Sequence, residues 1–215
     1  MNAEYQGNEG FLQRDSVEHK GYAEAQSTDR SEGKERDGAS DLLEAILDRD
    51  NLNKAYKRVR RNHGAAGIDG MTVEEALPWL KEHRGELLQS IREGSYMPNP
   101  VRRKEIPKPD GGVRKLGIPT VVDRVIQQAI AQKLQNIWEP LFSDSSYGYR
   151  PKRSAGQAIQ KVKEYAEEGY RYAVSVDLSK YFDTLNHELL MNLLHKQIQD
   201  MRVLSLIKKY LKSGV

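Results

Sequence analysis

Apolar positions recur with a helical period over most of the chain, and two stretches break that period. In "SDLLEAILDRD", Leu42, Leu43, Ile46 and Leu47 share one face behind Ser40 as a cap. "NLNKAYKRVRRN" continues the helix with Leu52, Ala55, Tyr56 and Val59 inward. "HGAAGIDG" is a glycine-rich break. "TVEEALPWLKEHRGELLQSIREG" opens on a capping box, Thr72 to Glu75, and Pro78 and Gly85 are expected to split or bend it. "TVVDRVIQQAIAQKLQNIWEPLF" is the clearest helix. Thr120 and Asp123 mark its start, and Val121, Val122, Val125, Ile126, Ala129, Ile130, Leu134, Ile137 and Leu141 form a wide apolar stripe. Ser154 and Gln157 form a second capping box, opening a helix to about Glu168. Asn186 caps a helix with Leu189, Leu190, Leu193 and Leu194 inside, and a last helix runs from about Arg202 to Lys212.

The first exception is "VRRKEIPKPDGGVRKLGIP". Two short extended runs flank Asp110-Gly111-Gly112, a hairpin signal, while Pro107, Pro109 and Pro119 keep these runs out of a sheet's centre. An exposed two-stranded ribbon is expected. The second is "YRYAVSVDL", which reads as a strand ending on Asp177. One strand makes no sheet, so its partners come from the ribbon region or from beyond residue 215. The fold class is therefore α+β and helix-rich. Residues 1–38 are rich in Glu, Ser, Gly, Gln and Arg without apolar periodicity and read as a disordered acidic extension.

Composition narrows the function classes. With no cysteine, disulfides and thiolate metal sites are excluded and a reducing compartment fits. No run of about 18 apolar residues offers a membrane span, and the N-terminus lacks a secretory signal. Residues 1–38 hold five Lys/Arg and nine Asp/Glu, the remainder 29 and 22. A body of net charge +7 beside an acidic tail of −4 suits a polyanion partner or a well-solvated surface equally.

Four groups of residues carry candidate chemistry. On the ribbon, Lys108 and Arg114 sit on opposite arms of a short turn. An ammonium and a forked guanidinium there suit a triphosphate, and a charged edge that blocks aggregation is the plainer account. In "SSYGYRPKRS", Arg150, Lys152 and Arg153 interleave with Tyr147 and Tyr149 before a helix N-terminus, as in single-strand binding or in an ordinary loop with packed tyrosines. Lys54, Lys57, Arg58, Arg60 and Arg61 cover the outer side of an early helix. Asp177, followed by Phe182 and Asp183, places a carboxylate where a magnesium ion can bind or where an Asp caps a turn. The five histidines show no metal spacing, and no phosphate-binding loop motif or Ser/His/Asp order is visible.

Taken together, "NHGAAGIDGMTVEE", "EIPKPDGGVRKLGIPTVVDRVIQQAI", "FSDSSYGYRPKRSAGQAI" and "VSVDLSKYFDTLNHELL" resemble, in order and spacing, the bacterial group II intron reverse transcriptases, also called maturases. The resemblance covers about residues 40 to 215. It implies the fingers (39–165) and the start of the palm (166–215) of a right-handed polymerase. It implies Asp177 as catalytic metal ligand, with the backbone carbonyl of Leu178 beside it, holding magnesium (Mg2+), or manganese (Mn2+) in its place. Phe182 matches the aromatic gate under the sugar, and Lys108 and Arg114 match the basic pair on the incoming deoxynucleoside triphosphate. Asp183 matches a family-typical Asp of structural role. The "GAAGIDG" block and the basic helix with Arg58, Arg60 and Arg61 resemble the extension that lids the template, and Arg150, Lys152 and Arg153 would line the nucleic-acid track. The implied partners are intron RNA, an RNA template and a DNA or RNA primer in the bacterial cytoplasm, with no membrane. The family's Tyr-Ala-Asp-Asp box is absent from these residues. The 215 residues alone are therefore expected not to polymerise and to need a complementing C-terminal chain. A non-catalytic RNA-binding module and a degenerate remnant are the alternatives.

Overall fold

The computed structural model describes residues 41–109 and 111–213, so Ser40 and the extension at 1–38 lie outside the described residues. The first apolar block forms two helices, not one: α1 (Leu42–Leu47) and α2 (Arg49–Arg61). They part at Asp48, whose carboxylate accepts from the N–H of Asp50 (2.9 Å) and Asn51 (3.1 Å) and so caps α2. Helix α3 (Val73–Arg92) runs uninterrupted through Pro78 and Gly85, against the expected split. Its capping box is closed, with the N–H of Thr72 donating to Glu75 Oε2 at 2.8 Å and that of Glu75 to Thr72 Oγ1 at 3.3 Å. Burial of Val73, Ala76, Leu87, Leu88 and Ile91 offsets the penalty of both breakers.

Helix α4 (Val121–Trp138) is the central element. Its buried stripe, Val121, Val122, Val125, Ile126, Ala129 and Ile130, packs with apolar residues of α1, α2 and α3 in one core. Each such side chain contributes about 1.5–3 kcal/mol when fully buried. A polar clamp crosses this core. Asn51 Nδ2 donates to the carbonyls of Ile46 (2.8 Å) and Ala129 (3.1 Å), and Gln132 Nε2 donates to Asn51 Oδ1 (2.9 Å). A one-turn 3-10 helix, Glu139–Leu141, ends α4, and α5 (Ala155–Glu167), α6 (His187–His195) and α7 (Met201–Lys212) follow. Ile198 and the α7 residues Val203, Leu204 and Leu206 join the same core, so the chain's last described helix closes on its first.

The ribbon forms as expected. Strands β1 (Arg102–Pro107) and β2 (Val113–Ile118) pair antiparallel, with Arg102 opposite Ile118 and Ile106 opposite Arg114. Gly111 takes φ +83° in the turn, and the N–H of Lys108 donates to the Gly112 carbonyl at 2.7 Å.

Two expectations fail. "YRYAVSVDL" forms no strand: residues 171–178 make no backbone hydrogen bond among the described residues, and Val174 is 90 % exposed. Among the described residues the ribbon pairs only with itself, which leaves this segment without a ladder partner. For the same reason Asp177 does not stand at a sheet edge. In α6, Leu189 and Leu193 face outward instead of inward, and neither α5 nor α6 buries a residue. Met191 and Leu194 of α6 pack partly against the core, whereas no residue of α5 joins it. The structure is thus mixed helix and strand, with one two-stranded sheet among the described residues. No described helix is long and apolar enough to cross a membrane.

Candidate functional site

Register decides what the ribbon presents. Side chains alternate faces, so Ile106 and Lys108 on one arm share a face with Arg114 and Leu116 on the other. With Pro107 and Pro109 these residues line a hollow of about 150 Å³. Neither Lys108 nor Arg114 forms an ion pair or side-chain hydrogen bond among the described residues. Two unpaired cations on an apolar floor can take a multiply charged anion.

Both roots of the ribbon are fixed by one buried carboxylate. Asp123 is 1 % exposed. Its Oδ2 accepts from Thr120 Oγ1 (2.6 Å), just past β2, and from the Asn99 N–H (3.2 Å), just before β1. Its Oδ1 accepts from Tyr96 (2.6 Å) and from Tyr210 of α7 (3.2 Å). Burial, then the hydrogen bond to and charge of Asp123, push the Tyr96 phenol far above its ordinary range. Burial, then the neighbouring Tyr96 and Asp123, do the same to Tyr210. Both tyrosines donate to this carboxylate. In the sequence Asp123 reads only as a helix-start signal, because its distant donors leave no local mark.

The glycine-rich loop at 62–70 folds onto the start of α4. A Cβ on Gly67 would meet Thr120 Cα at 2.5 Å, and Arg124 donates to the Ala65 carbonyl at 2.8 Å. Burial lowers the Arg124 pKa, while the charge of Asp69 pulls it back up. On the neighbouring α2, Lys54, Lys57, Arg58, Arg60 and Arg61 are exposed and form no ion pair among the described residues.

The three cations after Tyr149 are not equivalent. Arg150 turns inward, and its side chain is 6 % exposed. It pairs with Glu139 (2.8 Å), donates to the carbonyls of Ser143 (2.6 Å) and Ser146 (3.0 Å), and lies over Phe142. It holds the loop together. Arg153 is bound to Asp144 (3.2 Å) and lies over Tyr147. Lys152 is exposed and left-handed at φ +60°, and Tyr149, at φ +56°, is also exposed.

Asp177, Leu178, Phe182 and Asp183 are all exposed, the last two in the turn after the unpaired segment. Phe182 is 76 % exposed, with its ring edge-on to Tyr181 at 5.5 Å. Among the described residues no three His, Asp or Glu side chains gather to hold a metal. Asp177 offers one carboxylate, which fits part of a magnesium shell and leaves the rest to phosphates, water or other protein groups.

Residues 106–214 match the family described as reverse transcriptase (RNA-dependent DNA polymerase), and the chain belongs to that family. It is 37% identical over 179 residues to Protein YkfC of Escherichia coli K12, a match covering 80% of this chain and 47% of that protein. It is 37% identical over 175 residues to the group II intron-encoded protein LtrA of Lactococcus lactis, covering 80% and 29%. A putative COX1/OXI3 intron 2 protein of Saccharomyces cerevisiae is 31% identical over 176 residues, covering 80% and 20%. Within the family these relatives set the chain among the group II intron reverse transcriptases and maturases. The chain spans less than half the length of these relatives.

Proposed function

We propose that the chain is the N-terminal part of a group II intron-encoded RNA-directed DNA polymerase that also helps its intron RNA to splice and move. The observation that carries this reading is the ribbon face, where Lys108 and Arg114 line one hollow with no anion of their own. In this reading residues 39–165 act as fingers and 166–215 begin the palm of a right-handed polymerase. Lys108 and Arg114 hold the phosphates of an incoming deoxynucleoside triphosphate, and Phe182 lies under its sugar. Asp177 and the Leu178 carbonyl bind magnesium, which would polarise the reacting phosphate when bound. Arg58, Arg60, Arg61 and Lys152 contact the backbone of the template or intron RNA, while Arg150 and Arg153 shape the loop that presents Lys152.

The unpaired segment at 171–178 and the exposed Ile159, Val162, Leu189 and Leu193 of α5 and α6 favour a second role for the residues described. By themselves they bind RNA, and catalysis waits for further strands, supplied by a complementing chain or segment. The test uses the 215-residue chain and its Lys108→Ala/Arg114→Ala variant, titrated with a fluorescent deoxynucleoside triphosphate and, separately, with intron RNA. Triphosphate affinity is expected to fall by about tenfold in the variant, the contribution of charge-assisted bonds, while RNA affinity stays nearly the same. Equal triphosphate affinity in both proteins overturns the ribbon assignment.

A further inference from the structure

A second cavity lies away from the ribbon, between α2, α3 and the inner stripe of α4, with a volume of about 280 Å³. Its floor is apolar: Leu52, Leu77, Leu80, Leu87 and Ile126, with the ring of Tyr56. Its lip carries Arg49, Lys81 and Arg84, all exposed and none paired with an anion among the described residues. Asn53 stands on the same lip, and its amide has no hydrogen-bond partner among the described residues.

We propose that this cleft takes one unstacked base of a single-stranded RNA, with the flanking phosphates on Arg49, Lys81 and Arg84. The inference rests on the RNA-binding reading above and adds to it a site that recognises a base. Three features select this occupant. An apolar floor rewards a flat ring. Three unpaired cations around it reward phosphates on both sides of that ring. The Asn53 amide offers a donor and an acceptor to a base edge. The α2 face that opens the cleft, through Arg49, Asn53 and Tyr56, runs on to the exposed Arg60 about three turns further. A polynucleotide that leaves the cleft therefore meets further cations.

The test compares a short uridine oligonucleotide with the same oligonucleotide made abasic at its centre, both titrated against the purified 215-residue chain. The abasic probe is expected to bind about tenfold more weakly, the contribution of one stacked base. Leu80→Trp, which fills the cleft, should abolish that difference. Arg84→Ala alters an exposed residue and leaves the fold intact, as circular dichroism would check. It should weaken both probes and reduce the salt slope by about one. Equal affinity for the two probes overturns the base pocket, as does a difference that survives Leu80→Trp or displacement of the RNA by an acidic peptide. Failure of every RNA to bind at low salt removes the RNA-binding reading itself, and the pocket with it.

Discussion

Asp200 accepts from the N–H of Leu43, 157 positions away, at 3.0 Å, and caps α7 by accepting from the Arg202 N–H at 3.0 Å. Burial alone would raise its pKa. The side chain of Arg202, the two N–H groups and the Arg202 charge outweigh it and hold the carboxyl below its usual range. A depressed carboxylate stabilises the fold above its unfolded pKa, about 3.9 for Asp, and that stabilisation is lost as pH falls through the lower folded value. Asp200→Asn should therefore lower the melting temperature at neutral pH by about 6 °C, equivalent to about 2 kcal/mol, because one amide oxygen cannot accept from both the Leu43 and the Arg202 N–H and the charge-assisted bonds to the Arg202 side chain are lost. The gap should narrow once the wild-type group protonates, below about pH 4. A gap that stays constant through acid would show that the charge contributes nothing. Residues of this kind mark the limit of sequence reading. Thr72, Ser154 and Asn186 act on backbone a turn away, so their capping roles are legible. Asp123, Asp200 and Arg150 act through partners that only folding brings near. Arg150 reads as a surface cation and turns out to be internal.

Among the elements, glycines separate packing from flexibility. Gly67 is pressed against the backbone of Thr120, which cannot give way, whereas Gly85 in α3 has nothing within 4 Å of an added Cβ. Gly67→Ala is expected to destabilise by about 1–3 kcal/mol through forced displacement and to expose the 62–70 loop to protease. Gly85→Ala should stabilise by about 0.5–1 kcal/mol, because Ala loses less entropy in a helix. Thermal melts of the pair check both signs, and a shift in the same direction for both would contradict the packing described. Helix α3 also shows why the expected split fails. Propensity counts each breaker alone, while burial along the whole helix decides whether it continues.

At the scale of the molecule, a packed helical core stands beside apolar surface without a partner. Amides of residues 171–178 make no backbone hydrogen bond among the described residues, so hydrogen exchange should label them at the earliest time point. The middle of α4 should be protected longest. Protection of 171–178 in the isolated chain would mean that a strand forms there after all. The sequence revealed this segment's alternation and its polar end, because those are properties of the residues. It did not reveal whether the strand forms, because that depends on neighbours the segment must find. The ribbon was legible for the opposite reason, since both of its strands lie within one short stretch.

The carboxylate of Asp123 has a mechanical consequence. It grips the chain just before β1, the chain just after β2 and the side of α7 at one point. The two roots of the ribbon are therefore tied to one another through α4, which carries Asp123, and through Tyr210 to α7. A displacement of the tip, where Lys108 and Arg114 lie, is expected to reach both helices through that carboxylate.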